Sequence, residues 1–139
     1  MNAAPSVDRL YYDGECGLCH RWVRFLLLRD RAHGRFRFAP LAGTTCAARL
    51  PAEVRRALPD SLVLETADGR ILVRSEAALH ALRRLGGGWG LLARLSLAIP
   101  APLRDWTYDR VAAARKRLFA RPEGACPLVP PDLAARLDP

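Results

Sequence analysis

Two cysteines near the start of the chain, Cys16 and Cys19, are three residues apart and could form a reversible disulfide. Residues at this spacing are neighbours on one face of a helix, and a disulfide needs Cα atoms about 4.4 to 6.8 Å apart. At a helix N-terminus, backbone N–H groups and the helix dipole would stabilise a thiolate at Cys16. We therefore predict Cys16 as the nucleophile and Cys19, one turn deeper, as the resolving thiol.

Asp13 precedes Cys16 by three residues and has two compatible interpretations. Asp13-Gly14 is a turn signal, and the Asp13 carboxylate could also accept a proton from Cys19 during exchange. A carboxylate close to Cys16 opposes ionisation of that thiol. We expect the helix N-terminus to outweigh it, because hydrogen bonds to the thiolate act at contact distance while solvated carboxylates are screened.

His20 follows Cys19 and completes the C-x-x-C-H pattern of covalent haem attachment. Haem attachment normally requires export, for which residues 1–8 give no signal, and Met1 is the only methionine, so an axial methionine is missing. The dithiol interpretation therefore ranks above haem, and no cofactor is expected. His20 is more simply a solvated helix residue, or one whose charge tunes Cys16.

The other two cysteines, Cys46 and Cys126, are isolated in sequence. A zinc site would need a second pair of ligands at ordered spacing, so no metal is expected. Cys46 is interpreted as a small apolar residue in a core or under a loop. Cys126 lies in a proline-flanked tail, where it is either an inert thiol or a third redox thiol that returns to the dithiol.

Strand and helix signals place the dithiol at the first strand-to-helix junction of an α/β protein. A β-α-β unit with parallel strands precedes a β-β-α unit with an antiparallel hairpin, which predicts a four-stranded mixed sheet with helices on both faces. The predicted strands are Val7–Tyr12, Phe36–Ala39, Ser61–Glu65 and Arg70–Val73. Three predicted helices are Cys16–Asp30, Ala52–Leu58 and Trp89–Ile99. A fourth is capped by Ser75 and carries Ala78, Leu82 and Leu85 inward. A fifth starts at Pro102 and has an apolar stripe at three- and four-residue steps, formed by Leu103, Thr107, Val111, Ala114 and Leu118.

The chain of 139 residues fits a single domain. We expect a core at about residues 7–85, a C-terminal helical extension at about 89–121 and an extended tail at 122–139. No secretory signal is apparent, and the longest apolar run, Trp89–Ile99, is shorter than the roughly 20 residues of a membrane helix. The predicted location is therefore the cytoplasm.

The net charge of +8 arises from 22 basic and 14 acidic residues. The basic residues are spread along the chain without interleaved aromatic residues, so nucleic acid is not an expected partner. Six positive charges fall on the predicted helix from Arg104 to Arg121. This helix could make a weak contact with an acidic protein or an anionic membrane surface.

The run from Leu10 to Cys19 resembles the opening of the bacterial DCC family of predicted thiol-disulfide oxidoreductases, named for Asp-x-x-Cys-x-x-Cys. Three later segments also resemble this family: Asp60–Leu64, Ser75–Leu85, and Arg104-Asp105 with Tyr108. The resemblance implies a thioredoxin-like fold and a redox activity on a protein or small-molecule thiol or disulfide. It does not carry over the identity of that substrate.

One position departs from thioredoxin itself. Thioredoxins place a cis-proline beside the dithiol before the third strand, whereas this sequence aligns Asp60 there, with Pro59 one residue early. The resemblance therefore implies a different mode of substrate docking. A non-catalytic binding module built on the same scaffold, with idle cysteines, is the alternative function, because a fold does not fix an activity.

Overall fold

The strands form one mixed sheet in a computed structural model that describes residues 7–13, 17–30, 34–58, 62–118 and 136–138. The order is β2-β1-β3-β4, with β1 parallel to β2 and the β1–β3 and β3–β4 pairs antiparallel. The strands are β1 (Asp8–Tyr12), β2 (Phe36–Pro40), β3 (Val63–Glu65) and β4 (Ile71–Val73). The predicted α/β class with a thioredoxin-like mixed sheet is confirmed.

Six helices accompany this sheet in the described ranges: α1 (Gly17–Arg29), α2 (Thr44–Arg49), α3 (Ala52–Ala57), α4 (Arg74–Leu85), α5 (Gly87–Ser96) and α6 (Ala101–Leu118). Five of them correspond to predicted helices, with ends that differ by a few residues. The sequence does not predict α2, because no proline marks its start in the way that Pro51 marks the start of the equally short α3. Its one buried residue is Cys46.

Alternation along β1 divides the core into two clusters, one on each side of the sheet. Leu10 and Tyr12 join the larger cluster with side chains of α1 and α4, whereas Tyr11 points to the other face and packs near Cys46. Helices α1 and α4 therefore cover one face, and α2 covers the other. This arrangement confirms helices on both faces of the sheet.

The buried face of α1 is the predicted one. Cys19, Val23, Leu26 and Asp30 are all buried, and Asp30 is fully inaccessible. The carboxylate of Asp30 accepts hydrogen bonds from the backbone N–H groups of Arg35 at 2.6 Å and Phe36 at 3.2 Å. Asp30 therefore connects the end of α1 to the start of β2, which fixes α1 against the parallel strand pair.

The predicted N-cap of α4 is wrong. The helix begins at Arg74, directly after β4, and Val73 occupies the cap position without a side-chain cap. The Ser75 hydroxyl instead donates a 2.5 Å hydrogen bond to Asp105 of α6. Because β4 runs straight into the helix, Ser75 lies inside the first turn, where it bonds to another helix.

The buried face of α4 is also displaced from the prediction. Ala77 and Ala81 are fully buried, whereas the predicted inward residues Ala78, Leu82 and Leu85 are only partly buried. A shift by one position rotates a helix face by about 100°.

The predicted apolar stripe of α6 does not form a continuous buried face, although Ala114 is partly buried as predicted; the Leu118 side chain lies outside the described ones. Leu103 and Val111 are more than half exposed, and Thr107 is exposed. The partly buried side is instead marked by Asp105, Tyr108 and Ala112. Polar contacts to α4 and to the segment before β3 hold this side inward, and apolar spacing alone does not reveal them.

The end of the chain pairs with β2. Leu137 forms a parallel bridge to Phe38, and the carboxylate of Asp138 accepts hydrogen bonds from Arg9 at 3.2 Å and Arg37 at 3.1 Å. Most of the predicted extended tail lies outside the described residues. Among the residues that are described, no helix has both the length and the hydropathy needed to cross a membrane.

Candidate active site at the junction of β1 and α1

The predicted site lies where the chain passes from β1 to α1. Strand β1 ends at Tyr12, Asp13 follows it and is half-buried, and α1 begins at Gly17, the residue after Cys16 in the sequence. Cys16 itself lies outside the described residues. The structure thus brings Asp13 and Cys19 to the same junction, and the roles predicted for Asp13, Cys16 and Cys19 stay predictions.

Cys19 is a buried thiol in the first turn of α1. Its side chain is 7 % exposed and belongs to the core cluster that contains Leu10 and Val23. A thiol in this position reacts with a neighbour on its own helix more readily than with solvent, which suits a resolving thiol.

His20 is not the solvated residue that the sequence favoured. It is 5 % exposed, and its ring meets the ring of Tyr12 edge to face, with centroids 5.6 Å apart. The buried side of α1 includes His20 as well as Cys19. The imidazole is therefore packed between α1 and β1.

A small apolar cavity lies beside Cys19, where α1, α4 and α6 meet. Its volume is about 170 Å³, and its lining includes Cys19, Trp22 and Tyr108. The hydroxyl oxygen of Tyr108 accepts a 2.9 Å hydrogen bond from the backbone N–H of Leu62, the residue before β3. Residue spacing gives no sign of this position for Tyr108, although Tyr108 is among the residues that resemble the family.

Aromatic side chains connect the same helix to α5. Trp22 stacks on Phe25, and Phe25 meets Trp89 edge to face at a centroid distance of 5.0 Å. The guanidinium of Arg29 lies 4.2 Å from the centroid of the Phe25 ring. These contacts pack the middle and the end of α1 against α5.

Cys46 packs in a different core cluster from Cys19. It is a reduced, buried thiol in the cluster on the opposite face of the sheet. Burial raises the pKa of the Cys46 thiol, and the nearby Arg55 charge only partly offsets this. The interpretation of Cys46 as a small apolar core residue is confirmed, whereas Cys126 lies outside the described residues.

A four-stranded mixed sheet with a C-x-x-C segment at its first strand-to-helix junction is the arrangement of thioredoxin-like proteins. Residues 10–121 match the family described as DCC1-like thiol-disulfide oxidoreductase, and the chain belongs to this family. The uncharacterized protein YuxK of Bacillus subtilis (strain 168) is 34 % identical over 134 residues, which cover 94 % of this chain and 93 % of YuxK. No solved structure gives a significant match. Family membership supports a thiol-disulfide oxidoreductase role in general terms.

Proposed function

We propose that the protein is a thiol-disulfide oxidoreductase in which Cys16 attacks a disulfide and Cys19 resolves the mixed disulfide. The observation that carries this proposal is the position of Cys19, a buried thiol in the first turn of a helix that begins directly after Cys16 in sequence. The N-terminal N–H groups of α1 favour a thiolate there, as at other reactive helix N-termini. Family membership supports the same chemistry.

Asp13 is proposed as the group that accepts the Cys19 proton. Its position after β1 and its half-buried side chain place a carboxylate at the junction that also holds Cys19. A reducing cytoplasm is the proposed location, because a dithiol of this kind cycles between its two states when cellular thiols are available.

Single-cysteine variants test the proposal. Cys19→Ser should leave Cys16 able to attack a partner but unable to release it, so mixed disulfides accumulate and are detected on non-reducing gels. Cys16→Ser should abolish trapping. Cys46→Ser is the matched control, because it removes a buried thiol from the other side of the sheet and should not change trapping.

A redox titration separates this function from the non-catalytic binding module. The protein is equilibrated with glutathione buffers of graded ratio, and the Cys16–Cys19 disulfide is quantified within one peptide by mass spectrometry. A single two-electron transition is expected. Absence of a transition would favour the binding module, and a dominant Cys16–Cys126 disulfide would make Cys126 the resolving thiol. In the trapping experiment, mixed disulfides with Cys16→Ser alone would make Cys19 the nucleophile and Cys16 the resolving thiol.

We also propose that α6 makes a weak contact with anionic membrane surfaces. Leu103, Trp106 and Val111 are each more than half exposed on this helix, and the guanidinium of Arg110 lies 5.0 Å from the Trp106 ring centroid. Arginines beside these exposed side chains would attract anionic headgroups, and the apolar groups would enter the interface. Nucleic acid is not proposed as a partner.

Sedimentation with lipid vesicles tests this contact. Binding to phosphatidylglycerol vesicles should exceed binding to phosphatidylcholine vesicles and should weaken as salt is added. Trp106→Ser should reduce binding, whereas Glu76→Gln, on exposed α4 surface, should not. Equal sedimentation with both lipids, or none with either, would contradict the contact.

A further inference from the structure

The cavity beside Cys19 is built almost entirely from apolar side chains. Ala78 of α4 and Val111 and Ala112 of α6 complete the lining around Cys19 and Trp22 of α1. The one phenol hydroxyl in the lining, that of Tyr108, already bonds to the backbone of Leu62. An occupant would therefore be held by burial of apolar surface.

The size of this cavity limits what it can hold. Its volume of about 170 Å³ is close to the roughly 150 Å³ apolar cavity that binds benzene in an engineered protein. One aromatic ring or one branched aliphatic group would fill it.

The main chain next to the cavity is not available for peptide pairing at Leu62. The Leu62 N–H donates to Tyr108, and the Leu62 carbonyl accepts a 3.2 Å hydrogen bond from the backbone N–H of Arg74. A peptide that docks by strand addition needs free main-chain groups on the receiving segment. Recognition at this point therefore depends on a buried side group.

We propose that the cavity binds the apolar group of a low-molecular-weight disulfide, so that the preferred substrate carries an aromatic ring or a branched aliphatic group next to its sulfur. The proposal rests on the proposed function, because Cys19 is both the resolving thiol and part of the cavity wall. The apolar group of the substrate would therefore be bound next to Cys19, the thiol that completes the exchange.

The exchange is a two-electron reduction of the disulfide. The Cys16 thiolate attacks the sulfur that bears the apolar group R in R–S–S–R′, the mixed disulfide Cys16–S–S–R forms, the original S–S bond breaks, and R′S⁻ leaves. The Cys19 thiolate then attacks the Cys16 sulfur, the Cys16–Cys19 disulfide forms, and RS⁻ leaves. The two thiol protons end on the released thiols, and the dithiol supplies both electrons.

Mixed disulfides with one common leaving group test the preference. Ethyl, isobutyl and benzyl 2-pyridyl disulfides are reacted with the reduced protein, and release of pyridine-2-thione is followed by absorbance. Each rate is divided by the rate of 2-mercaptoethanol with the same compound, which removes intrinsic reactivity. The corrected benzyl-to-ethyl ratio should be about tenfold, since burial of one such group contributes this much or more.

Two variants on α6 give a matched comparison. Ala112→Phe fills the cavity and should bring the benzyl-to-ethyl ratio close to one. Ala113→Phe adds the same side chain at the next position, which is exposed, and should leave the ratio unchanged. Ala78→Leu fills the cavity from α4 and serves if Ala112→Phe fails to fold.

The outcomes separate the two proposals. A wild-type ratio near one with a normal ethyl rate would overturn the cavity proposal and leave the oxidoreductase function intact. No reaction with any probe would overturn the function itself. A cysteinyl peptide with polar neighbours, activated with the same leaving group, should react more slowly than the benzyl compound, and a faster reaction would show that a protein substrate is preferred.

Discussion

The hydroxyl oxygen of Tyr108 lies 2.9 Å from the backbone nitrogen of Leu62 and accepts its hydrogen bond. This bond attaches α6 to the residue that leads into β3. A second bond, from Ser75 to Asp105, attaches the same helix to α4. The C-terminal helix is thereby positioned by polar contacts and forms one wall of the cavity at Cys19.

Tyr108→Phe should destabilise the protein by about 1 to 3 kcal/mol, because it removes this acceptor from a buried N–H group. Urea denaturation measures the change in the free energy of unfolding. Thr107→Ala is the control, since Thr107 is exposed and its hydroxyl donates to the Leu103 carbonyl within α6, and it should change stability by less than about 0.5 kcal/mol. Equal effects of the two variants would contradict the prediction.

Asp8 should make the stability depend on acid pH. Burial alone would raise the pKa of its carboxyl. Hydrogen bonds from His80 and the Ala67 N–H and the charge of Arg84 lower the pKa and outweigh burial, so the net pKa lies below 3.8. A lowered pKa adds stability that is present above the unfolded value and is lost as pH falls through the folded value.

Asp8→Asn should therefore cost about 2 kcal/mol at neutral pH, and this cost should shrink between about pH 4 and pH 2 as wild-type Asp8 becomes protonated. Urea denaturation at several pH values measures it. Glu76→Gln, which removes one exposed negative charge, is the comparison and should show no such trend. A cost that stays constant down to pH 2 would contradict the assignment.

Tyr11 should resist ionisation. Burial raises the pKa of its phenol well above 10, and its 2.7 Å hydrogen bond to Glu65, which also pairs with Arg49, raises it further. A raised pKa contributes stability that is present below about pH 10 and lost above it. Near-ultraviolet absorbance should show a tyrosine that ionises only as the protein unfolds, and Tyr11→Phe should remove that part of the signal. The urea-unfolded protein, with all three tyrosines titrating together, is the reference.

Cys46 should be alkylated slowly in the folded protein. The thiol is 1 % exposed and burial raises its pKa, so little thiolate is present at neutral pH. Peptide mapping after iodoacetamide treatment should find Cys46 unmodified under native conditions and modified in urea. Rapid native modification of Cys46 would show that α2 opens readily.

The sequence was most informative where local pattern and packing agree. The strand-to-helix junction at Asp13, the buried face of α1 and the parallel pair were predictable, because the periodicity of Cys19, Val23 and Leu26 matches the surface that α1 covers. Which side of α6 is buried was not predictable, because long-range hydrogen bonds from Leu62 and Ser75 determine it. The burial of His20 likewise depends on a ring from β1.

The pairing of Leu137 with Phe38 has a consequence for how copies of the chain meet. Strand β2 is the outermost strand on its side of the sheet, and an unpaired outer strand is a template for the addition of foreign strands. The backbone N–H of Asp138 donates to the Phe38 carbonyl at 2.7 Å, and its carboxylate binds Arg9 and Arg37. Residues 136–138 thus cover part of the β2 edge, and a chain shortened before Arg136 should leave more of that edge open to strands of neighbouring copies.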